Sequence, residues 1–263
     1  MVKSGDDLSV LDLPEILQFV FFPRKDFGGK PSMEGVTDYR IPVEDEVFIG
    51  CRSHICGKDF PNILYFHGNG EIVSDYDDVA PLFKGIGANL LVADYRGYGF
   101  SSGTPTLSSM IEDAHNIFHF FVNILREEGY TGKLFVMGRS LGSASALELA
   151  CNYQEQISGV IIESGFANLF DLLRNIGFPV DSLNLSDEIK NSTLSKIRSI
   201  NIPVLIIHAQ YDNIIPLTEG MTIFENVPTD RKRMLVVPNA DHNNIMIMGL
   251  NKYFGVIEQF VFQ

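Results

Sequence analysis

Positive charge is scarce in this chain. Lys and Arg number 20 against 33 Asp and Glu, a formal net charge of −13 over 263 residues. Such a surface repels the phosphates of nucleic acids and anionic lipid head groups, so neither is an expected partner. Long apolar runs are missing as well: none approaches the roughly 20 residues needed to cross a bilayer. The N-terminal stretch MVKSGDDLSVLDLPEILQFVFF interrupts its apolar residues with Asp12, Pro14 and Glu15, unlike the continuous core of a signal peptide. A soluble, cytoplasmic protein without stable membrane insertion is the expectation. Cysteine is sparse too. Cys51, Cys56 and Cys151 are an odd set without a C-x-x-C pair, which fits reduced thiols better than a disulfide framework. Cys51 and Cys56 flank His54, but no second ligand pair stands at zinc spacing, which weighs against a metal clip. Cys151, ending a stretch rich in Ala and Leu, reads as a small buried hydrophobe. No internal repeat or low-complexity tract is visible.

What is present is apolar and periodic. A hydrophobic content of 45% supports one sizeable core, and a single domain over 1–263 is expected. Tyr39 to Val43 and Glu46 to Arg52 read as a hairpin turning at Glu44 and Asp45. After them, the runs Asn62 to Gly68, Asn89 to Gly97, Lys133 to Gly138, Gly159 to Ser164, Pro203 to Ala209 and Arg233 to Ala240 are continuous, as strands covered on both faces require. Segments of helical spacing alternate with them: Val79 to Ile86, Leu107 to Glu128, Leu141 to Asn152, Leu217 to Asn226 and Asn244 to Phe262. The alternation predicts an α/β fold, a mostly parallel sheet with helices on both faces. One connection is long, roughly forty residues between the strands ending at Ser164 and starting at Pro203, well beyond ordinary loops of up to about 15. Its Phe, Leu and Ile content predicts a small helical cap over 166–200 rather than disorder.

The chemistry lies at strand ends. Gly138-Arg139-Ser140-Leu141-Gly142 fits G-x-S-x-G between a strand and a helix. A sharp turn there forces the serine backbone into a strained conformation, and the flanking glycines admit close approach of strand and helix. The hydroxyl of Ser140 then stands at the tip, beside the first N–H groups of a helix. An ordinary helix N-cap is the bland alternative for that serine. A serine nucleophile needs a base, normally histidine, held in turn by a carboxylate. Asp212 follows the strand ending at Ala209, and His242 follows the next one. Because the carboxyl ends of parallel strands gather at one edge, Ser140, Asp212 and His242 are expected to converge there as nucleophile, acid and base.

With these strings in hand, the chain resembles the α/β-hydrolases from about Arg40 to its C-terminus. The resemblance rests on HGNGE, DYRGYGFSSGTP, GRSLGS, HAQYDNIIP and NADHNN, in that order. It implies an α/β-hydrolase fold of eight strands with a small helical cap after the sixth. Within the superfamily, DYRGYG and GRSLG look most like serine aminopeptidase-like hydrolases, small esterases and protein depalmitoylases. Depalmitoylases of that branch carry a cysteine-rich N-terminus, and residues 1 to 50 here contain no cysteine. The reading is a serine hydrolase acting on a small-molecule acyl substrate, first a carboxylic ester of short or medium chain. A thioesterase or depalmitoylase, an aminopeptidase, and a non-enzymatic ligand- or partner-binding protein are the alternatives. No metal, nucleotide or flavin cofactor is implied, and the oligomeric state stays open.

The remaining expectations concern the rim of the site. The N–H groups of Asn69 and Leu141 are the expected oxyanion-hole donors, with Gly70 the second choice to Asn69. His67 and His208 read as structural, and Asp241 as a loop anchor. Glu163 is a rival to Asp212 as the acid, since some resembling proteins place it after the sixth strand. Asp94 and Arg96 are read as pairing or bonding backbone near the site. Phe166, Phe170, Leu173 and Phe178 of the cap are the candidate substrate-binding residues, with plain packing equally able to explain them. Glu71, Asp75 and Asp77 are the carboxylates available to hold a substrate ammonium, as an aminopeptidase requires.

Overall fold

The two hairpin segments and each of the six apolar runs become strands of one sheet. The structure, a computed structural model, describes residues 8–26, 34–175, 177–180 and 191–263. The strands are β1 (Val36–Glu44), β2 (Val47–His54), β3 (Asn62–Phe66), β4 (Asn89–Ala93), β5 (Leu134–Arg139), β6 (Gly159–Glu163), β7 (Val204–Ala209) and β8 (Lys232–Val237). The sheet order is β1-β2-β4-β3-β5-β6-β7-β8. β1 and β2 form the antiparallel hairpin, β2 runs antiparallel to β4, and the remaining pairs are parallel. The hairpin turns over Asp45 and Glu46, and Glu46 takes a φ of 61°.

The helices are α1 (Pro14–Val20), α2 (Ala80–Gly85), α3 (Leu107–Glu127), α4 (Ser143–Asn152), α5 (Leu169–Asn175), α6 (Ser192–Ile197), α7 (Leu217–Asn226) and α8 (Ile245–Val261). Alternate residues of the inner strands enter two separate cores, because successive side chains of a strand point to opposite faces. Leu64, Phe66 and Val136 join one core with Ile16 of α1, Phe118 of α3 and Leu147 of α4. Ile63, Tyr65 and Met137 join the other with Phe83 of α2 and Tyr253 of α8. The doubly covered, mostly parallel sheet expected from the sequence is therefore the architecture observed.

Three details depart from the sequence reading. β4 stops at Ala93 rather than Gly97: the Asp94 N–H makes one more bond, to the Gly50 carbonyl at 2.9 Å, and the chain then turns at Arg96 and Gly97, where φ reaches 78°. β8 is an edge strand, with only Val237 fully buried along it, so it is covered less than its apolar sequence implied. α1 was not anticipated, although Pro14 at its first turn and Leu13, Ile16, Leu17 and Val20 at helical spacing carry the signal. The expected cap over 166–200 lies partly outside the described residues, at 176 and 181–190. Within the described part it supplies α5 and α6.

Parallel register brings the strand ends together. Phe66 pairs with Gly138, Arg139 with Glu163, and Ala209 with Val237. Everything that follows those residues in sequence emerges on one edge of the sheet.

Candidate active site

Ser140 occupies the first position after β5, at a φ of 52°. That left-handed conformation is costly for a residue with a Cβ, and it presents the hydroxyl outward from the turn. The glycines on either side make the bend possible. A Cβ on Gly138 would lie 2.3 Å from the Gly142 carbonyl oxygen, and one on Gly142 would lie 2.1 Å from that of Phe66. Only hydrogen at these positions lets strand, turn and helix stack so closely.

His242 lies in the loop after β8 and Asp212 in the turn after β7. The Ser140 hydroxyl sits 3.0 Å from His242 Nε2, and His242 Nδ1 sits 2.8 Å from Asp212 Oδ2. With its ring proton on Nδ1, His242 donates to the carboxylate and accepts from the hydroxyl. The Ile214 and Ile215 N–H groups also donate to Asp212 Oδ1, at 3.1 and 2.8 Å. Burial pushes the Asp212 carboxyl up, but the His242 ring and the Ile215 N–H outweigh it and hold it below the usual carboxylate range. An ionised Asp212 is thus kept against the imidazole.

The rival acid has other obligations. Glu163 Oε1 takes the Arg139 Nε–H at 3.1 Å and its Oε2 takes the Tyr253 hydroxyl at 2.5 Å, while burial pushes its carboxyl up despite Arg139. His67 has both ring nitrogens engaged, 2.8 Å from the Gly68 carbonyl and 3.1 Å from Asp94 Oδ1. His208 bonds the Ile215 carbonyl through Nε2 at 2.9 Å, and burial lowers its pKa. Asp241 accepts from the Asn243 and Asn244 N–H groups, anchoring its loop. Asp94 and Arg96 do not pair with one another: Arg96 forks onto Asp113 at 2.8 and 2.9 Å and reaches Glu44 at 2.6 Å. His54, between Cys51 and Cys56, faces Asp77 at 3.4 Å, and all the cysteines are free thiols.

Arg139 is the residue that sequence reasoning missed. Its Nε faces Glu163, its Nη1 pairs with Glu71, and its Nη2 donates to the His242 carbonyl at 2.8 Å. Glu71 Oε2 in turn accepts from the Gly68 N–H at 2.9 Å and from the Tyr76 hydroxyl at 2.7 Å. Burial would raise the Glu71 carboxyl, yet Arg139 above all holds it below its ordinary value. One guanidinium therefore ties together the serine turn, the histidine loop and the HGNGE loop. A Cβ at Gly68 would come within 2.5 Å of its Nη1, which explains the glycine there.

A cavity of about 380 Å³ opens over Ser140 and His242. Asn69 and Leu141, the expected oxyanion donors, both line it. The expected substrate-binding residues do not. Phe166, Phe170, Leu173 and Phe178 are 1, 4, 0 and 7% exposed and belong to the main core. Phe166 and Phe170 border a separate void of about 30 Å³, room for roughly one water. The reason is geometric: their side chains pack down onto the sheet's core, and the space above Ser140 is walled by Phe19, Val20, Phe22, Leu172 and Ile214 instead. Among the described residues, no three or more His, Cys, Asp and Glu side chains are grouped to hold a metal ion. No helix among them is long and apolar enough to cross a membrane.

Known proteins resemble this chain in sequence and in fold. A family profile described as serine aminopeptidase, S33, matches residues 59–171. Protein bem46 of Schizosaccharomyces pombe is 29% identical over 208 residues, 76% of this chain and 67% of its own length. Alpha/beta hydrolase domain-containing protein 17C of Xenopus laevis is 28% identical over 237 residues, 88% of this chain and 71% of its own. Among solved structures, the Pyrococcus furiosus esterase Pf2001 superposes with a TM-score of 0.72 at 18% identity, over 90% of this chain and 97% of its own. Strand order, strand-end loops and these likenesses agree, and the chain has the α/β-hydrolase fold.

Proposed function

We propose that this chain is a serine hydrolase that cleaves carboxylic esters through an acyl-enzyme. The observation that carries the reading is the continuous chain from the Ser140 hydroxyl through the His242 imidazole to Asp212, at 3.0 and 2.8 Å. Ser140 Oγ attacks the ester carbonyl while His242 Nε2 takes its proton. Asp212 fixes the ring tautomer and stabilises the imidazolium. The tetrahedral oxyanion is received by the Asn69 and Leu141 N–H groups, donors of a kind each worth about 3 kcal/mol. Collapse expels the alcohol with the proton from Nε2, and water activated by the same imidazole then releases the acid.

Esters rank ahead of aminoacyl amides because the carboxylates that would hold a substrate ammonium are engaged elsewhere. Glu71 pairs with Arg139, Asp75 with Arg24, and Asp77 with Arg52 at 2.7 Å. A fluorophosphonate probe tests the reading: the wild type is expected to label stoichiometrically and Ser140→Ala not at all. Asp212→Asn is expected to lose on the order of a thousandfold or more in kcat while remaining folded, with Glu163→Gln far milder. An unlabelled, folded wild type, or the reverse order of the two acid variants, would refute this assignment.

A further inference from the structure

The apolar part of the cavity is built by a segment for which the sequence reading found no role. Phe19 and Val20 end α1, and Phe22 begins the extended strap that follows it; with Leu172 and Ile214 they wall the space over Ser140. The strap is bonded to the loop that carries Asn69. The Phe22 N–H lies 2.9 Å from Asn69 Oδ1 and 2.8 Å from the Tyr98 hydroxyl, and Arg24 Nε donates to the Gly70 carbonyl at 3.2 Å. Arg24 also pairs with Asp75, and the Gly99 N–H donates to the Arg24 carbonyl at 2.8 Å. The Phe19 ring stands edge-on to Phe178 with centroids 5.6 Å apart. These contacts fix the wall relative to Ser140.

Two of its rings nevertheless face outward: Phe19 is 38% and Phe22 60% exposed. Apolar rings left open beside a nucleophile gain from being covered by an apolar chain. The polar wall supplies no net charge for an ionic substrate group, since Glu71 and Arg139 satisfy each other. At about 380 Å³ the cavity is of the size that takes a small organic ligand rather than a water or an acetyl group alone.

We infer that the strap, through Phe19 and Phe22, determines which acyl chain the site accepts, and that this chain is neutral, apolar and of medium length. The inference rests on the serine-hydrolase reading above and adds to it the substrate class and the residues that select it. Of the segment after β6, Leu172 reaches this wall, whereas Phe166, Phe170, Leu173 and Phe178 do not line the cavity.

The test is a series of p-nitrophenyl esters of increasing acyl length, with acetate esters of increasing alcohol length as the second arm. For the wild type, kcat/KM is expected to rise roughly fourfold per methylene until the cavity is filled, then fall. Phe19→Ala and Phe22→Ala should move the optimum to longer chains, by about two methylenes or more, and Phe22→Trp should move it to shorter ones. The exposure of Phe22 makes both of its variants tolerable to the fold, and a thermal unfolding midpoint near that of the wild type verifies this. Superposable chain-length profiles in folded variants overturn the inference, as does selectivity that follows the alcohol instead. Fluorophosphonate labelling separates the two levels. A labelled, active wild type with unmoved profiles sinks the strap's role alone, whereas an unlabelled and inactive wild type removes the serine mechanism and the inference together.

Discussion

Arg139 fills the variable position before Ser140 in the G-x-S-x-G string, where the motif itself demands no chemistry. Its three directions of bonding, to Glu71, Glu163 and the His242 carbonyl, use the planar fork of a guanidinium. An ammonium has the charge but not the fork. Arg139→Lys is therefore expected to lower kcat roughly tenfold to a hundredfold with a much smaller change in KM, because the histidine loop and the Gly68 turn would lose their common tether. Steady-state kinetics on one chromogenic ester measure it, and a kcat equal to wild type would remove Arg139 from any positioning role. Ser140, Asp212 and His242 were legible in the sequence because each stands just past a strand end, where residue type and order carry meaning. Arg139 was not, since its partners come from loops distant in the chain. The cap residues were ambiguous for the opposite reason: Phe166, Phe170, Leu173 and Phe178 have the composition of either a pocket or a core, and only packing distinguishes the two.

At the scale of elements, the helices beside the site are fastened by buried charge. Glu148 of α4 faces His115 of α3 at 3.2 Å and Lys196 of α6 at 2.8 Å. Burial raises its carboxyl, but the His115 hydrogen bond and the Lys196 charge prevail and bring it down from 4.5 to about 2. A folded-state pKa below the unfolded one contributes stability that is present above pH 4.5 and is lost as pH falls toward 2. The shift corresponds to about 3 kcal/mol as an upper figure. Urea unfolding between pH 6 and pH 3 should show this loss, and Glu148→Gln should be less stable at pH 6 but show a flatter acid limb. Identical pH slopes for the two proteins would contradict it. Element positions were largely readable, because continuous apolar runs and helical spacing are local signals. Ends were less so: the apolar run continues past Asp94 toward Gly97, whereas β4 ends at Ala93 and the chain turns at Arg96 and Gly97.

For the whole molecule, the two cores lie on opposite faces of the same strands. Ile63 and Leu64 are adjacent in β3 yet belong to different cores, so neither face can lose its packing while the sheet persists. A single cooperative transition is expected, with far-UV and near-UV circular dichroism melting at the same midpoint. The chain has no tryptophan, so the near-UV signal comes from its 9 Tyr and 20 Phe. Separate midpoints would show that the faces unfold independently.

The sequence by itself determined the alternation of strands and helices, the doubly covered sheet, and the three strand-end residues that meet over the cavity. These follow from signals carried within a few residues of each position: hydrophobic period, glycine at a turn too tight for a Cβ, and a polar group just beyond a strand. The tertiary structure decided which apolar side chains became wall and which became core, and it placed α1 and its strap over Ser140. It also gathered Glu71, Arg139 and Glu163 into one ionic tether. Those outcomes depend on contacts between segments remote in the chain, whose energies are set by burial and distance in three dimensions and leave no periodicity to read.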